Sequence, residues 1–140
     1  MAKHYRELVV WQKAMALAGA TYAVARSLPE SERFGLCAQL RRAAISVASN
    51  IAEGHERRSR ADYRRFVAIA CGSLAELETQ LELASRLYAI DAAIMAPALS
   101  LADETGRLLR SIERALRNEI SEGAEDYDVL QPSALSPQPS

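Results

Sequence analysis

Eight residues of this chain, Tyr63, Val67, Ala70, Leu74, Leu77, Leu81, Ala84 and Tyr88, follow one another at alternating spacings of four and three without a break. That alternation averages 3.5 residues. It is the signature of one apolar face on an α-helix and excludes a strand, whose side chains repeat every second residue. At 1.5 Å per residue the seam makes a rod roughly 38 Å long. An isolated helix is marginal in water and gains its stability from packing. A chain built on this seam therefore folds by laying further helices against it.

The rest of the sequence supplies those partners. The spacing predicts a first helix over about 5–27, with Leu8, Trp11, Met15, Ala18, Tyr22 and Ala25 on one face and Val10, Ala14, Leu17, Thr21, Val24 and Leu28 on the next. The combined arc exceeds the ~100° stripe of a helix covered on one side. Pro29 ends it. A second helix runs from about Gly35 to Glu53 with Leu40, Ala44, Val47 and Ile51 inward, and Gly54 reads as its C-terminal cap. Ser59, followed by Asp62, opens the third helix.

A fourth helix is expected over about 91–120, capped by Asp91. It carries Leu101, Thr105, Leu108, Ile112 and Ala115, with Leu109, Leu116 and Ile120 beside them. Pro97 should kink it or delay its start. Short connections between long helices imply antiparallel neighbours. The expected fold is all-α: an up-down-up-down four-helix bundle over 1–121. Residues 122–140, acidic and rich in Pro and Ser without periodicity, read as a disordered tail.

Composition narrows the chemistry. Aromatics are only 6% of the chain although 49% is hydrophobic, which favours close helix packing over a β-sandwich. A di-iron bundle needs Glu-x-x-His pairs. The two histidines, His4 and His55, both lack a glutamate three residues earlier, so no metal is expected. Cys37 and Cys71 are isolated and read as buried thiols in a reducing compartment. No phosphate-cradling glycine loop or nucleophile elbow occurs. The reading is a protein without cofactor or catalytic residues, not an enzyme. The N-terminus lacks a signal-peptide core and no stretch has transmembrane length, which points to the cytoplasm and away from membranes.

Charge is divided unevenly. The net −1 comprises −4 in residues 122–140 and +3 in the first 121, and 15 of the 17 basic residues are arginine. Arg57, Arg58, Arg60, Arg64 and Arg65 crowd the turn into the third helix, a density suited to the phosphate backbone of RNA or DNA. Arg41 and Arg42 are supplementary contacts. A solvated turn paired with Glu53, Glu56 and Asp62 is the plainer alternative.

Two further stripes are structural candidates. Ser46, Asn50 and Glu53 share a polar face of the second helix and suit hydrogen bonds to another helix or subunit. Ala68, Gly72 and Ala75 line the side of the third helix opposite its seam. Mid-helix glycine costs about 1 kcal/mol unless close approach offsets it, so this face is expected to self-associate. A non-enzymatic, sequence-independent nucleic-acid binder is the leading reading. A structural or adaptor module acting through protein contacts is the alternative.

Three ordered motifs carry a family resemblance. They are Arg6-x-Leu8-x-Val10-Trp11-Gln12-Lys13-Ala14; then Gly35-Leu36-x-x-Gln39-Leu40-Arg41-Arg42-Ala43-Ala44-x-Ser46-Val47-x-Ser49-Asn50-Ile51-Ala52-Glu53-Gly54; and Gly72-Ser73-Leu74-x-Glu76-Leu77-Glu78-Thr79-Gln80-Leu81. The chain resembles the four helix bundle proteins, also called 23S rRNA intervening-sequence proteins. The resemblance implies a homopentamer of four-helix subunits. It also implies similarity to accessory proteins of diversity-generating retroelements, which bind nucleic acid and a reverse transcriptase. Ala48 stands where the family commonly has proline, Cys37 and Ala38 replace a hydroxyl-bearing pair, and Pro97 and the acidic tail are departures.

Overall fold

The computed structural model describes residues 4–130, with side chains described through Gly123. Its helices are α1 (Val9–Arg26), α2 (Leu36–His55), α3 (Arg60–Leu87) and α4 (Ala92–Leu130), and no strand occurs among the described residues. Side-chain pairings fix the directions. Arg42 meets Glu76 and Ser46 meets Ser73, so partner numbers fall along α3 as they rise along α2. Arg60 with Glu119 and Arg64 with Glu113 do the same for α3 and α4. Cys37 reaches the Ala25 carbonyl and Arg41 lies over Tyr22, which sets α1 against α2. α1 and α4 pack together as well, and among the described residues the backbones of the diagonal pairs do not approach closely, their side chains meeting only in the shared core. The result is a square up-down-up-down bundle.

The α3 seam is buried from Tyr63 through Ala84, with Tyr88 half-buried at the helix end. It faces Leu40, Val47 and Ile51 of α2, Leu17 and Val24 of α1, and Leu109 of α4, in one continuous core. Each such side chain contributes about 1.5–3 kcal/mol through burial. On α1 the buried arc is the Val10–Ala14–Leu17–Thr21–Val24 face, whereas Met15 on the neighbouring face is exposed and Trp11 and Tyr22 are half-buried. On α4 the seam is Met95, Ala98, Ala102, Thr105, Leu109 and Leu116; Leu101 and Leu108 are half-buried beside it and Ala115 is exposed.

Four boundaries differ from the sequence reading. Residues Tyr5–Glu7 form a separate 3-10 turn, with the His4 side chain accepting from the Arg6 N–H, and extended Leu8 precedes α1. α2 continues through Gly54 to His55 without a left-handed residue, so Gly54 is not a cap. A Cβ on Gly54 would lie 2.7 Å from the Phe66 Cβ, so glycine is there to let α3 approach. Asp91 Oδ1 accepts from the Ala93 N–H, and α4 starts at Ala92 without delay from Pro97. α4 also runs to Leu130, past the helix end expected near 120. The remainder of the expected tail, 131–140, lies outside the described residues.

The far end of the bundle is tied by Glu32. Its carboxylate accepts from the Leu36 N–H at the start of α2 and, at 2.6 Å, from the Tyr88 hydroxyl.

Candidate nucleic-acid interface

The α2–α3 turn occupies residues 56–59, and Ser59 closes it by accepting from the Asp62 N–H at 3.0 Å. α3 begins at Arg60. With helical spacing, Arg60 and Arg64 fall toward α4 while Arg65 points back toward the turn. The five arginines are thereby brought to one end of the bundle, but their electrostatic situations diverge.

Arg60 pairs with Glu119 at 3.2 Å, Arg64 with Glu113 at 3.0 Å, and Arg65 with Asp62 at 3.7 Å. Arg57 and Arg58 have no carboxylate within 4.0 Å among the described residues. The Arg57 guanidinium instead lies 4.6 Å from the Phe66 ring centroid, and Arg65 lies 4.8 Å from the same ring. Phe66 is buried, so it serves as a fixed platform on which two exposed guanidinium groups rest. An arginine held by a ring keeps its hydrogen-bond donors free for oxygen acceptors.

The supplementary pair is placed elsewhere. Arg42 donates to Glu76 at 2.7 Å and to Gln39, bracing the middle of the α2–α3 contact. Arg41 lies over Tyr22 at 5.4 Å, and its Nε is buried with no partner among the described residues. Neither adjoins the α2–α3 turn.

The polar stripe of α2 is a connection between helices. Ser46 and Ser73 hydroxyls are 2.7 Å apart across α2 and α3, and Asn50 Nδ2 donates to both the carbonyl and the hydroxyl of Ser46. Glu53 is exposed and lines a recess of about 300 Å³ with Tyr5, Glu56 and Arg57. Ala68, Gly72 and Ala75 are exposed, and a Cβ on Gly72 would meet nothing within 4 Å.

A second recess was not anticipated from sequence. It has a volume of about 380 Å³ and lies between the turn and the start of α1, lined by Leu8, His55, Arg57, Arg58, Ser59, Arg60 and Tyr63. His55 is 13% exposed, stands edge-on to Tyr63, and has Nδ1 3.8 Å from Glu56. That nitrogen has no hydrogen-bond partner among the described residues. Burial pushes the Tyr63 hydroxyl above its ordinary range, with Arg60 pulling the other way.

The cysteines are not poised for chemistry. Cys37 is buried with its thiol on the Ala25 carbonyl. Burial raises Cys71, opposed by Arg110 and aided by Glu113, so its thiol is protonated at neutral pH. Among the described residues, no group of three His, Cys, Asp or Glu is arranged for a metal, and no helix is long and apolar enough to cross a membrane.

Comparison with other proteins locates the fold. No curated protein matches the chain. A crystal structure from Bacteroides thetaiotaomicron, described as a protein of unknown function from the S23 ribosomal protein family, is similar at 28% identity and a TM-score of 0.68. The match covers 75% of this chain and 98% of that one. The 23S rRNA-intervening sequence protein family matches residues 6–111, a span that takes in all three motifs and both sides of the arginine turn. The chain belongs to the 23S rRNA-intervening sequence protein family.

Proposed function

We propose that this protein is a non-enzymatic homo-oligomer that contacts RNA or DNA, independently of sequence, through the arginines of the α2–α3 turn. The observation that carries the reading is the state of Arg57 and Arg58, which are exposed and without a carboxylate partner among the described residues, beside Arg60, Arg64 and Arg65. Exposed ion pairs contribute at most about 1 kcal/mol, so a phosphate can displace the acids on Arg60 and Arg65. Arg57 and Arg58 need no displacement and engage first. Arg41 and Arg42 contribute to the field rather than to contact.

Self-association draws support from exposed apolar side chains on α2 and α3. Ile45, Ile69, Leu83 and Leu87 are each more than 40% exposed, beside the small residues Ala68, Gly72 and Ala75. A homopentamer, the state implied by the family resemblance, repeats the arginine turn in every subunit and multiplies its field. The same apolar face supports the second reading, an adaptor that docks a protein such as a reverse transcriptase.

Fluorescence anisotropy with labelled single-stranded and duplex RNA and DNA at low salt separates the two. Binding of all four with similar affinity fits backbone contact; binding of none defeats the nucleic-acid reading and leaves the adaptor.

A further inference from the structure

We infer that the 380 Å³ recess between the α2–α3 turn and the start of α1 receives the terminal phosphate of a nucleic-acid strand, a phosphate monoester rather than an internal diester. This deepens the strand-binding reading and rests on it. The recess gathers donors from three directions. Arg57 and Arg58 enter from the turn, Arg60 from the first residue of α3, and His55 from the end of α2. Ser59 is also in its lining; its hydroxyl oxygen accepts from the Asp62 N–H, which leaves the O–H proton free to donate. The first N–H groups of a helix are left without intrahelical partners, and its N-terminal end carries partial positive charge, so the start of α3 adds to the same field.

The donor set fits a dianion. A monoester near neutral pH carries about −1.5 to −2 charge and three acceptor oxygens. An internal diester offers one charge and two free oxygens. Three arginines and a histidine line the recess, a setting better matched by a dianion than by the single charge of a diester. The walls point the same way. Leu8 and Tyr63 close the sides with apolar surface. The last base or ribose of a strand can rest on those walls. Arg60 keeps its pairing with Glu119 on its Nε side. Glu56, 3.8 Å from His55 Nδ1, is the nearby acid that the phosphate would have to outcompete.

The test compares two single-stranded oligonucleotides of one sequence, labelled at the 3′ end, with either a 5′-phosphate or a 5′-hydroxyl. Anisotropy is read on the wild-type protein, on Arg58→Ala and on Arg86→Ala, which removes an equal charge at the other end of α3. Wild type and Arg86→Ala are expected to bind the phosphorylated strand about tenfold more tightly, the worth of one good charge-assisted hydrogen bond. Arg58→Ala is expected to lose that preference while still binding the hydroxyl strand.

Equal affinity for the two strands on wild type overturns the terminal-phosphate site and leaves strand binding intact. Binding of neither overturns both. A preference that survives in Arg58→Ala places the phosphate elsewhere and overturns the assignment. Inorganic phosphate that displaces the labelled strand at the strand's own Kd would make the occupant a free anion, and overturns it also.

Discussion

A Cβ added to Gly54 would lie 2.7 Å from the Cβ of Phe66 and 3.2 Å from Cδ1 of Tyr63. The atom it strikes is the root of the Phe66 side chain, which cannot swing away without moving α3. Overpacking of this kind costs about 1–3 kcal/mol, against about 1 kcal/mol gained from alanine's helix propensity. The difference leaves Gly54→Ala destabilised by up to about 2 kcal/mol, read as a fall in the urea midpoint at unchanged slope. An unchanged or raised midpoint would show that the helices can separate freely there.

Gly72 is the counter-case. Nothing lies within 4 Å of its Cβ position, so in an isolated subunit Gly72→Ala is expected to stabilise by about 0.5–1 kcal/mol. If the exposed Ala68–Gly72–Ala75 face is an interface between subunits, Gly72→Leu will leave the helical circular dichroism intact and move sedimentation to smaller species. A Gly72→Leu protein with unaltered sedimentation would remove this face from the assembly.

Ser46 and Ser73 hold the middle of the α2–α3 contact. Ser73→Ala removes one hydrogen bond, at a cost of about 1 kcal/mol. Ser46→Ala removes that bond and one from Asn50, and leaves the half-buried Ser73 hydroxyl unpaired, so it is expected to cost more. Denaturation of both single variants and the double variant gives a coupling energy. Fully additive losses would mean that the two hydroxyls do not share a bond in solution.

Alkaline stability should depend on Tyr88. Its hydroxyl is raised above the ordinary 10.0 first by the hydrogen bond to Glu32, then by desolvation, and then by that carboxylate's charge. A folded-state value above the unfolded one means that the neutral phenol stabilises the fold below pH about 10, and that this contribution is lost as pH rises through the raised value. Tyr63, raised by burial, has the same sign. Tyr88→Phe is expected to flatten the loss of stability above pH 10. A variant with the wild-type alkaline profile would place the hydrogen bond outside the solution structure.

The sequence carried the α3 seam almost whole, because eight core positions in one periodic run leave no competing register. α4 was less legible. Its core alternates small and large residues, Ala98, Ala102, Thr105 and Leu109, and the larger Leu101 and Leu108 drew the expected face one step aside. Gly54 read as a terminator because glycine after a helix usually supplies a positive φ; its close approach to Phe66 exists only once α3 has docked. The arginine cluster was plain in sequence, but its division into paired and unpaired members was not. Arg60 and Arg64 find Glu119 and Glu113 more than 45 positions away, on a helix brought alongside by the bundle. The recess containing Leu8 and His55 likewise depends on bringing the start of α1 to the α2–α3 turn.

Strand contact through Arg57 and Arg58 is tested most directly by the salt dependence of single-strand affinity, measured by anisotropy on wild type, on Arg57→Ala/Arg58→Ala, and on Arg33→Ala/Arg86→Ala at the opposite end of the bundle. Each phosphate contact on a single strand contributes about 0.7 to the slope of log affinity against log salt. The turn variant is expected to bind more weakly and to lose about 1.4 from that slope, while the opposite-end variant keeps the wild-type slope. A turn variant with the wild-type slope, or equal losses from both variants, would contradict contact at the α2–α3 turn.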